Sequence, residues 1–375
     1  MTQTFDAIII GGGIMGCSAA FQLARRGLKV ALLEKDTIGA GPTGKSSAII
    51  RQHYSNELTA RMALHSLRVF QNFDDAVGGG EIGFTEAGFA VLVSDEDKAG
   101  LETNIALQRK VGIKTGLISP QELSERVPGL KISDLRTAAY EPESGYADPY
   151  LTVNAYASAA RRYGAQIFQD TEVIDIRLEK GGLVTVNATT DTFSAPLALN
   201  SAGACRVQVA FFRRPAGYEA PHPVIGDFIH ATYFRSETGG LTLSGLIDPA
   251  EADAIVNPDK YNEDLDTDFV LNVGERLLRR YPPLEQSQST GGYASLYAIT
   301  PDWHPIVDEL LPDSGFYIAS GFSGHGFKLG PAMGVMIADL LTDVSQPEFD
   351  PAMFRLKRYA EGAAVQGQYE YSIAG

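Results

Sequence analysis

The residues best suited to chemistry stand near the C-terminus, where Gly-Phe-Ser-Gly-His-Gly-Phe-Lys occupies residues 321–328, here called the octapeptide turn. Its three glycines let the backbone approach a flat ligand, and the apolar spacing that follows predicts a helix beginning at the turn. The positive end of that helix would face the ligand and disfavour a cation at Lys328. A lysine placed against this preference indicates a functional role, although a solvated lysine after a glycine turn is the plain alternative.

A second glycine turn stands at the N-terminus, at residues 11–16, and is called the dinucleotide turn. It follows the apolar segment Ala7–Ile10 and precedes a helical pattern, the apolar segment Val30–Leu33 and Glu34. This order of strand, turn, helix, strand and acid is typical of an adenine dinucleotide site, and the acid lies 21 residues after Gly13, close to the usual spacing of about 20. A glycine turn that binds nothing would leave the acid unexplained.

Composition narrows the classes of function. The net charge of −15 argues against nucleic acid, because a polyanion would be repelled. Two cysteines, Cys17 and Cys205, do not indicate a disulfide framework, and a cytoplasmic location is the expectation. No segment is apolar over the 18 or so residues of a membrane span, and no basic region precedes the first apolar segment. Neither a membrane span, a signal peptide nor a metal site is predicted.

Strand and helix patterns alternate as in an α/β fold that is interrupted by β-rich segments. A strand predicted at 173–177 returns to the first sheet, whereas short β-type segments from 207 to 245, including one at 228–234, predict a second, antiparallel sheet. A single helix is predicted from about 57 to 73. The dinucleotide-binding domain is therefore predicted to be discontinuous, with the second domain inserted twice.

Six motifs together resemble the flavin-dependent amine oxidoreductases of the D-amino-acid oxidase superfamily, and most closely the sarcosine oxidase-like branch. The resemblance follows the chain order almost throughout and implies a Rossmann-like FAD-binding domain at residues 1–80, 145–204 and 295–375. It implies an inserted antiparallel-sheet substrate-binding domain at 81–144 and 205–294. The motifs are the dinucleotide turn, the loop at 39–51, Gly-Tyr-Ala-Asp-Pro at 145, Asn-Ser-Ala-Gly-Ala at 200, Thr-Pro-Asp at 300 and the octapeptide turn.

The reaction implied is FAD-dependent oxidation of a C–N bond in a small amino acid or N-alkyl amino acid, by hydride transfer to flavin N5. A carboxylate substrate calls for a planar bidentate donor and a second cation, and Arg51 and Lys328 end the two loops predicted to flank the flavin. The resemblance supports this pair as a carboxylate clamp. It also places Tyr233 and Tyr297 on the wall of the substrate cavity, with ordinary sheet-facing aromatics as the alternative.

The cofactor is predicted to contact both glycine turns and the loop between the first strands and Arg51. For His325, which stands between two glycines of the octapeptide turn, a role in stabilising the loop is expected. The predicted FAD-binding residues are Gly11, Gly13, Ile14, Met15, Gly16, Glu34, Lys35, Ser46, Ser47, Val173, Ala202, Gly203, Gly324, Gly326, Phe327 and Lys328.

Three departures from the branch qualify the resemblance. Ser295 stands where relatives carry a flavin-tethering Cys, and Lys45, Ser46 and Ser47 replace a tethering His, so FAD is predicted to be non-covalent. Thr242 stands in the Leu-Lys-Leu context of an oxygen-activating Lys, and the connection after Ala204 is short. The electron acceptor is therefore either oxygen or a protein partner, as in a dehydrogenase or a subunit of a hetero-oligomer. A flavin-binding protein without turnover is a third alternative, which the intact Arg51 and Lys328 disfavour.

Overall fold

The computed structural model describes residues 2–179, 182–200, 205–248 and 254–366, which form a mixed α/β fold with four sheets. The helices are α1 Ile14–Arg25, α2 Glu57–Gln71, α3 Phe73–Val77, α4 Lys98–Val111, α5 Pro120–Arg126, α6 Pro149–Arg162, α7 Thr267–Arg280 and α8 Gly326–Leu341. The strands are β1 Thr2–Thr4, β2 Ala7–Ile10, β3 Val30–Leu33, β4 Ile49–Ile50, β5 Phe89–Leu92, β6 Gly116–Ile118, β7 Ala138–Glu141, β8 Gly145–Tyr146, β9 Gln166–Phe168, β10 Val173–Glu179, β11 Leu183–Ala188, β12 Thr192–Ala195, β13 Leu197–Asn200, β14 Cys205–Arg213, β15 Val224–Asp227, β16 Thr232–Glu237, β17 Leu241–Leu246, β18 Ser289–Tyr297, β19 Ile306–Glu309 and β20 Phe316–Ser320.

The six-stranded sheet, in the order β19-β20-β13-β2-β3-β9, carries both glycine turns. All its neighbouring strands are parallel except β19 and β20. Strands β2 and β3 are almost entirely apolar and buried, as expected for a parallel sheet covered on both faces. The predicted unit of strand, turn, helix and strand is confirmed, with α1 between β2 and β3. The dinucleotide turn follows β2, and the octapeptide turn follows β20.

The eight-stranded sheet, in the order β18-β14-β17-β16-β15-β5-β7-β6, is antiparallel except where β5 meets β15. Its strands come from both segments predicted as the substrate-binding domain, and β18 continues to Tyr297, beyond the predicted boundary at residue 294. Helix α7 packs on one face of this sheet, where Phe212, Phe234, Val273 and Leu277 are buried in one cluster. The opposite face is the one that carries Tyr233 and Tyr297.

Three predicted elements were wrong in detail. Residues 228–231 form a turn between β15 and β16, because the Asp227 side chain accepts from the N–H groups of Ile229 and His230 and Ala231 has a φ of 52°. The predicted helix to residue 73 is interrupted at Asn72, between α2 and α3. Strand β10 belongs to a separate sheet in the order β1-β12-β11-β10, since it forms a hairpin with β11.

Helices α1 and α8 pack closely because α8 presents glycines at a four-residue spacing. A Cβ atom on Gly330 would lie 2.5 Å from Ile14 Cγ1, and one on Gly334 would lie 2.0 Å from Ser18 Oγ. Small residues at this spacing form one stripe along a helix and allow close approach of a second helix. The N-termini of α1 and α8, and therefore the two glycine turns, are held side by side.

The helices of the described ranges include none whose length and apolar character would suit a membrane span.

Candidate active site

The dinucleotide turn is closed by its own backbone. Gly11 has a φ of 105°, a left-handed conformation that favours glycine, and its N–H donates to the Leu33 carbonyl over 2.8 Å. A Cβ atom on Gly16 would lie 1.9 Å from the Gly11 carbonyl oxygen, so the turn has no room for a side chain there. Gly13 is the N-cap of α1 and offers no side-chain cap, which leaves the positive helix end facing outward, as a bound pyrophosphate requires.

Glu34 stands at the end of β3 and contacts the same turn. Its Oε2 accepts from the Gly12 N–H over 2.6 Å and its Oε1 from the Asp36 N–H over 3.0 Å. The carboxylate is only partly buried, and its remaining lone pairs suit a ribose hydroxyl. Thr43, which sequence reasoning missed, accepts from the Ile14 N–H through Oγ1 over 3.0 Å. Its signal was its place in the small-residue loop that returns to the turn.

Ser46 and Ser47 stabilise the loop that leads to the candidate substrate site. Ser46 Oγ accepts from the Ala48 N–H over 3.0 Å, and the Ser47 carbonyl accepts from Arg235 Nε over 2.8 Å. The second bond joins this loop to strand β16 of the eight-stranded sheet. The loop is therefore fixed from both of its sides.

The remaining predicted cofactor residues are less directly placed. Lys35 is exposed and forms an ion pair with Asp259 over 2.9 Å, which is a surface contact with little energetic weight. Val173 begins β10 and is partly buried. Ala202 and Gly203 lie outside the described residues. The predicted cofactor residues of the two glycine turns therefore lie close to one another, whereas the Lys35 side chain is paired with Asp259 at the surface.

The octapeptide turn is held by hydrogen bonds to the segment that follows β18, at residues 298–300. Ser323 has a φ of 46°, its N–H donates to the Ala298 carbonyl over 2.8 Å, and its Oγ accepts from the Thr300 N–H over 3.2 Å. Gly324 has a φ of 82°, and a Cβ there would lie 2.8 Å from the ring of Tyr297. The turn therefore fits against Tyr297 only as glycine.

The first turn of α8 contacts the dinucleotide turn directly. A Cβ atom on Gly326 would lie 3.4 Å from the terminal methyl of Met15, at the start of α1. Phe327 stacks on Phe70 of α2, with ring centroids 5.6 Å apart. Predicted cofactor residues from the two ends of the chain are thereby brought together.

Arg51 follows β4 and is held in one orientation by three neighbours. Its guanidinium lies 4.7 Å from the centroid of the Tyr54 ring, Nη1 donates to the His53 carbonyl, and Nη2 donates to His325 Nδ1 over 3.5 Å. Stacking on an aromatic ring fixes the plane of a guanidinium, the group that matches a planar carboxylate in geometry. A side chain fixed in this way loses little entropy when a ligand binds.

Lys328 is buried in the first turn of α8, with 8% of its surface exposed. Its Nζ donates to the Gly324 carbonyl over 3.0 Å, and within the described ranges no carboxylate oxygen lies within 4 Å of it. Burial, and then the charge of Arg51, hold the pKa of Lys328 well below its ordinary value. The two predicted clamp residues are thus coupled through their charges.

His325 is the N-cap of α8 and lies between the clamp and Tyr54. Its Nδ1 contacts the Tyr54 hydroxyl at 3.2 Å as well as Arg51 Nη2. Because arginine can only donate, Nδ1 accepts and the ring proton is on Nε2, a buried atom with no partner among the described residues. Burial, followed by the charges of Lys328 and Arg51, holds the pKa of His325 well below its ordinary value. His325 therefore links the octapeptide turn to Tyr54 and Arg51.

A cavity lies between the Ser47 loop and the eight-stranded sheet. Tyr233 and Tyr297 line it, whereas Arg51 and Lys328 do not. Tyr297 connects the two regions, because its ring contacts Gly324 as well as the cavity. Tyr233 lies further along the sheet, with its hydroxyl against Gly245.

Strand register places two departures from the branch on opposite faces of the sheet. Ser295 lines the cavity, and its Oγ has no hydrogen-bond partner among the described residues. Thr242 pairs with Phe212, and cross-strand partners share a face, so Thr242 points toward α7 and away from the cavity. Leu241 and Leu243 occupy the cavity-side face of β17, where they pair with Glu237 and Arg235 of β16.

Arg235 is a buried cation on the cavity-side face that sequence reasoning missed. It pairs across the sheet with Leu243, lies 4.5 Å from the centroid of the Tyr146 ring and forms an ion pair with Glu237 over 2.9 Å. Its alternation with Tyr233 on the same strand was the available signal. Arg235 joins the sheet to the Ser47 loop with its charge already paired.

Comparison with known proteins gives a consistent family. Residues 6–340 match the family described as FAD dependent oxidoreductase. Glycine oxidase from Geobacillus kaustophilus is 27% identical over 98% of this chain and 100% of its own length. Mitochondrial sarcosine dehydrogenase from Mus musculus is 24% identical over 96% of this chain but only 42% of its own length. The structure of L-proline dehydrogenase from P. horikoshii superposes with a TM-score of 0.88, at 27% identity, covering 97% of this chain and 100% of that one.

The chain belongs to the FAD dependent oxidoreductase family, and it is an FAD-dependent enzyme with the α/β fold that the sequence predicted. The residues present fit the cofactor, because the dinucleotide turn has no room for a side chain at Gly16 and its N-cap residue, Gly13, has no side chain to cover the positive end of α1. The relatives include oxidases and dehydrogenases of amino acids and amines, and this chain is an oxidoreductase of that general type. No cluster of three metal-binding side chains occurs within the ranges that the structure describes.

Proposed function

We propose that this enzyme oxidises the C–N bond of a small primary or secondary amino acid, sarcosine- or proline-like, to an imine. The observation that carries the proposal is the pair of basic side chains at the octapeptide turn, Arg51 and the buried Lys328, which has no carboxylate neighbour in the described ranges. Burial and the charge of Arg51 disfavour a positive charge on Lys328, and an anionic ligand would stabilise both groups. The names of the relatives, which concern glycine, sarcosine and L-proline, support a small amino acid as that ligand.

In this proposal the substrate carboxylate accepts from the guanidinium edge of Arg51 and from Lys328 Nζ. Arg51 is already oriented by Tyr54 and His325, so the carboxylate is held in one position without further ordering. Tyr297, which contacts Gly324, forms the adjoining wall and restricts the bulk of the substituent on nitrogen. Tyr233 remains a proposed second wall further from the clamp.

FAD, when bound, supplies the two-electron acceptor for the bond that is broken. We propose that it is held without a covalent bond by the dinucleotide turn, Glu34, Ser46, Ser47 and the first turn of α8. Ser295 stands at the cavity wall with a hydroxyl group, which cannot form a thioether. The start of α8 presents backbone N–H groups and a positive dipole end that favour negative charge.

For the electron acceptor we propose a dehydrogenase rather than an oxidase. Leu241 and Leu243 occupy the cavity-side face of β17, and the charge of Arg235 is paired with Glu237. An unpaired cation beside the reacting centre would favour the formation of superoxide, and none is provided by these strands. Mixing the reduced enzyme with oxygen and, separately, with a quinone or dichlorophenolindophenol tests this, since faster reoxidation by oxygen would contradict the proposal.

The substrate class is tested by anaerobic bleaching of the flavin absorbance with glycine, sarcosine, L-proline and D-proline. The Arg51→Ala variant should lower kcat/KM for the active acid by roughly 10- to 150-fold, which corresponds to the ~1.5–3 kcal/mol of a hydrogen bond to a charged group. Arg126→Ala is the matched control, because Arg126 also stacks on a tyrosine, Tyr140, at 4.8 Å but is exposed.

Two outcomes would count against the proposed site. If a yellow, FAD-loaded enzyme is bleached by none of the amino acids, the carboxylate clamp is wrong and the non-catalytic alternative gains support. If Arg51→Ala and Arg126→Ala have the same kinetic constants as the wild-type enzyme, Arg51 does not bind the substrate.

A further inference from the structure

Lys328 stands in a place that opposes its charge from three directions. It is buried, it lies in the first turn of α8 where the helix dipole repels a cation, and Arg51 adds a second positive charge. Its only hydrogen-bond acceptor in the described ranges is the Gly324 carbonyl, at 3.0 Å. An ammonium group has three N–H donors, whereas a neutral amine is adequately satisfied by one such acceptor.

None of the ionisable groups around Lys328 in the described ranges supplies a negative charge that would stabilise its ammonium form. The segment after β4 contributes Arg51 and Tyr54, α8 itself contributes His325, and residues 300–304 contribute His304. Tyr297 faces the turn from β18. Burial raises the pKa of Tyr54 to about 12, so that group stays neutral. Helices α1 and α2 contribute apolar side chains, Met15 and Phe70, to the same region.

Glu141 is a buried carboxylate that interacts electrostatically with Arg51. Its Oε2 accepts from the Gln52 N–H over 2.8 Å and from Ser144 Oγ over 2.7 Å. It interacts electrostatically with Arg51 and not with Lys328. Within the described ranges Lys328 therefore has no anionic neighbour until a ligand arrives.

We propose that Lys328 is the proton acceptor of the site: it is a neutral amine in the free enzyme and takes a proton from the substrate ammonium as the substrate carboxylate binds. This inference rests on the proposed function, since it needs a zwitterionic amino acid at the clamp. The N–H bond of the ammonium breaks and its electron pair stays on the substrate nitrogen. A new N–H bond forms at Lys328 Nζ, and the resulting ammonium pairs with the carboxylate.

The transfer supplies what C–N oxidation requires. An ammonium nitrogen has no lone pair to form the C=N bond of the imine, so the substrate must become a neutral amine before its carbon is oxidised. Zwitterionic amino acids carry that extra proton at neutral pH. The carboxylate of the same molecule stabilises the charge on Lys328, so the substrate creates the condition for its own deprotonation.

Neither neighbour can perform this role as well. Arg51 is always protonated and can only donate. His325 accepts from Arg51 Nη2 at Nδ1, so its acceptor nitrogen is already occupied. Lys328 is thus the one group at the clamp with an available nitrogen lone pair among the described residues.

The experiment is calorimetric titration of the oxidised holoenzyme with methoxyacetate, which has the shape of sarcosine but an ether oxygen in place of the nitrogen. Titrations in phosphate and in Tris at pH 7.0 to 9.5 give the protons taken up per ligand, because the two buffers have different heats of ionisation. We expect uptake that approaches one proton wherever Lys328 is neutral in the free enzyme, since the ligand brings no proton and Lys328 must take one from the buffer. Lys328→Arg should bind methoxyacetate with no uptake over the upper part of this range.

The outcomes separate this inference from the proposed function. If methoxyacetate and the amino acids all fail to bind, the carboxylate clamp itself is wrong. If methoxyacetate binds to the wild-type enzyme without proton uptake at any pH, the clamp stands and Lys328 is not the acceptor; this result needs no variant. If uptake persists in Lys328→Arg and disappears in His325→Gln, the acceptor is His325, which overturns the inference.

Discussion

The two glycine turns place the positive end of a helix against a ligand in the same way, but they are stabilised differently. The dinucleotide turn is held by groups within the first 43 residues, namely Leu33, Glu34 and Thr43. The octapeptide turn is held by Ala298 and Thr300 on one side and by Tyr54 on the other. The first turn is therefore specified locally, whereas the second depends on contacts across the chain.

The two turns also differ in the ionisable side chains beside them. At the dinucleotide turn the nearby ionised group is Glu34, an acid that is partly exposed and hydrogen-bonded to the backbone. At the octapeptide turn the nearby groups are Lys328 and Arg51, of which Lys328 is buried among groups that disfavour its charge. A local turn can hold a polar contact, but two adjacent basic side chains that disfavour each other's charge require a rigid tertiary structure to keep them together.

The largest expected effect on stability concerns Asp302, here called the anchor of the octapeptide turn. It accepts from the hydroxyl of Thr300, whose N–H donates to Ser323 in that turn. Asp302 accepts two hydrogen bonds of 2.8 Å from the buried Arg358, and this pairing, with further hydrogen bonds, lowers the pKa of Asp302. Asp302→Ala leaves a buried charge unpaired and should lower the free energy of unfolding in urea by about 3–5 kcal/mol. The contribution is present above the ordinary carboxyl pKa and is lost as pH falls below it. Asp308→Ala, which removes a partly exposed acceptor of the Leu356 N–H, should cost less; equal losses would contradict the anchor.

The next effect breaks the dinucleotide turn alone. Gly16→Ala places a Cβ 1.9 Å from the Gly11 carbonyl and should cost about 3 kcal/mol, seen as lost FAD affinity. Gly41→Ala is the control, because no atom lies within 4 Å of its Cβ position. Ultrafiltration of each holoenzyme and absorbance of the retained flavin measure the affinity. If the Gly16→Ala enzyme retains as much FAD as the control, the dinucleotide turn has room for a side chain at residue 16 and this prediction is wrong.

A smaller effect tests the packing that brings the two turns together. Gly334→Ala adds a Cβ 2.9 Å from the Ser18 carbonyl carbon and should destabilise the fold by about 1–3 kcal/mol. Gly274→Ala in α7 has an opposite expected sign, a gain of about 0.5–1 kcal/mol, because its Cβ would meet only Phe212 at 3.6 Å. Thermal denaturation of both variants measures these changes, and a Gly334→Ala variant as stable as the wild-type enzyme would mean that the stripe is not needed for close packing.

The smallest expected effect concerns Glu141, the buried acid behind Arg51. Burial raises the pKa of Glu141, so the folded protein binds its proton more tightly than the unfolded chain does, and stability falls as pH rises above the ordinary Glu range. Glu141→Gln keeps an acceptor for the Gln52 N–H and removes this dependence. Its unfolding free energy relative to wild type should therefore increase from pH 5 to pH 8. A difference that stays constant with pH would show that Glu141 does not titrate in this way.

Sequence reasoning predicted the half of the site that depends on local backbone. The spacing of Gly11, Gly13 and Gly16 before a helix specifies a turn whose shape hardly depends on the rest of the chain. By contrast, the turn at residues 228–231 was read as a strand, because its apolar residues alternate and only the Asp227 side chain reveals the turn. The face of Thr242 was equally hidden, since a strand's faces are assigned only by what packs on each of them.

By itself the sequence determined the two glycine turns, because these follow from residue types at short, fixed spacings, and the resemblance of its six motifs implied the family and the FAD requirement. It also supplied Arg51 and Lys328 as candidates, although their pairing remains a proposal. The tertiary structure decided that the glycine stripe of α8 sets the two turns side by side and that Lys328 is buried with no carboxylate near it in the described ranges. Those facts depend on contacts between segments more than 270 residues apart, such as Tyr54 and His325, and no local pattern encodes such distances.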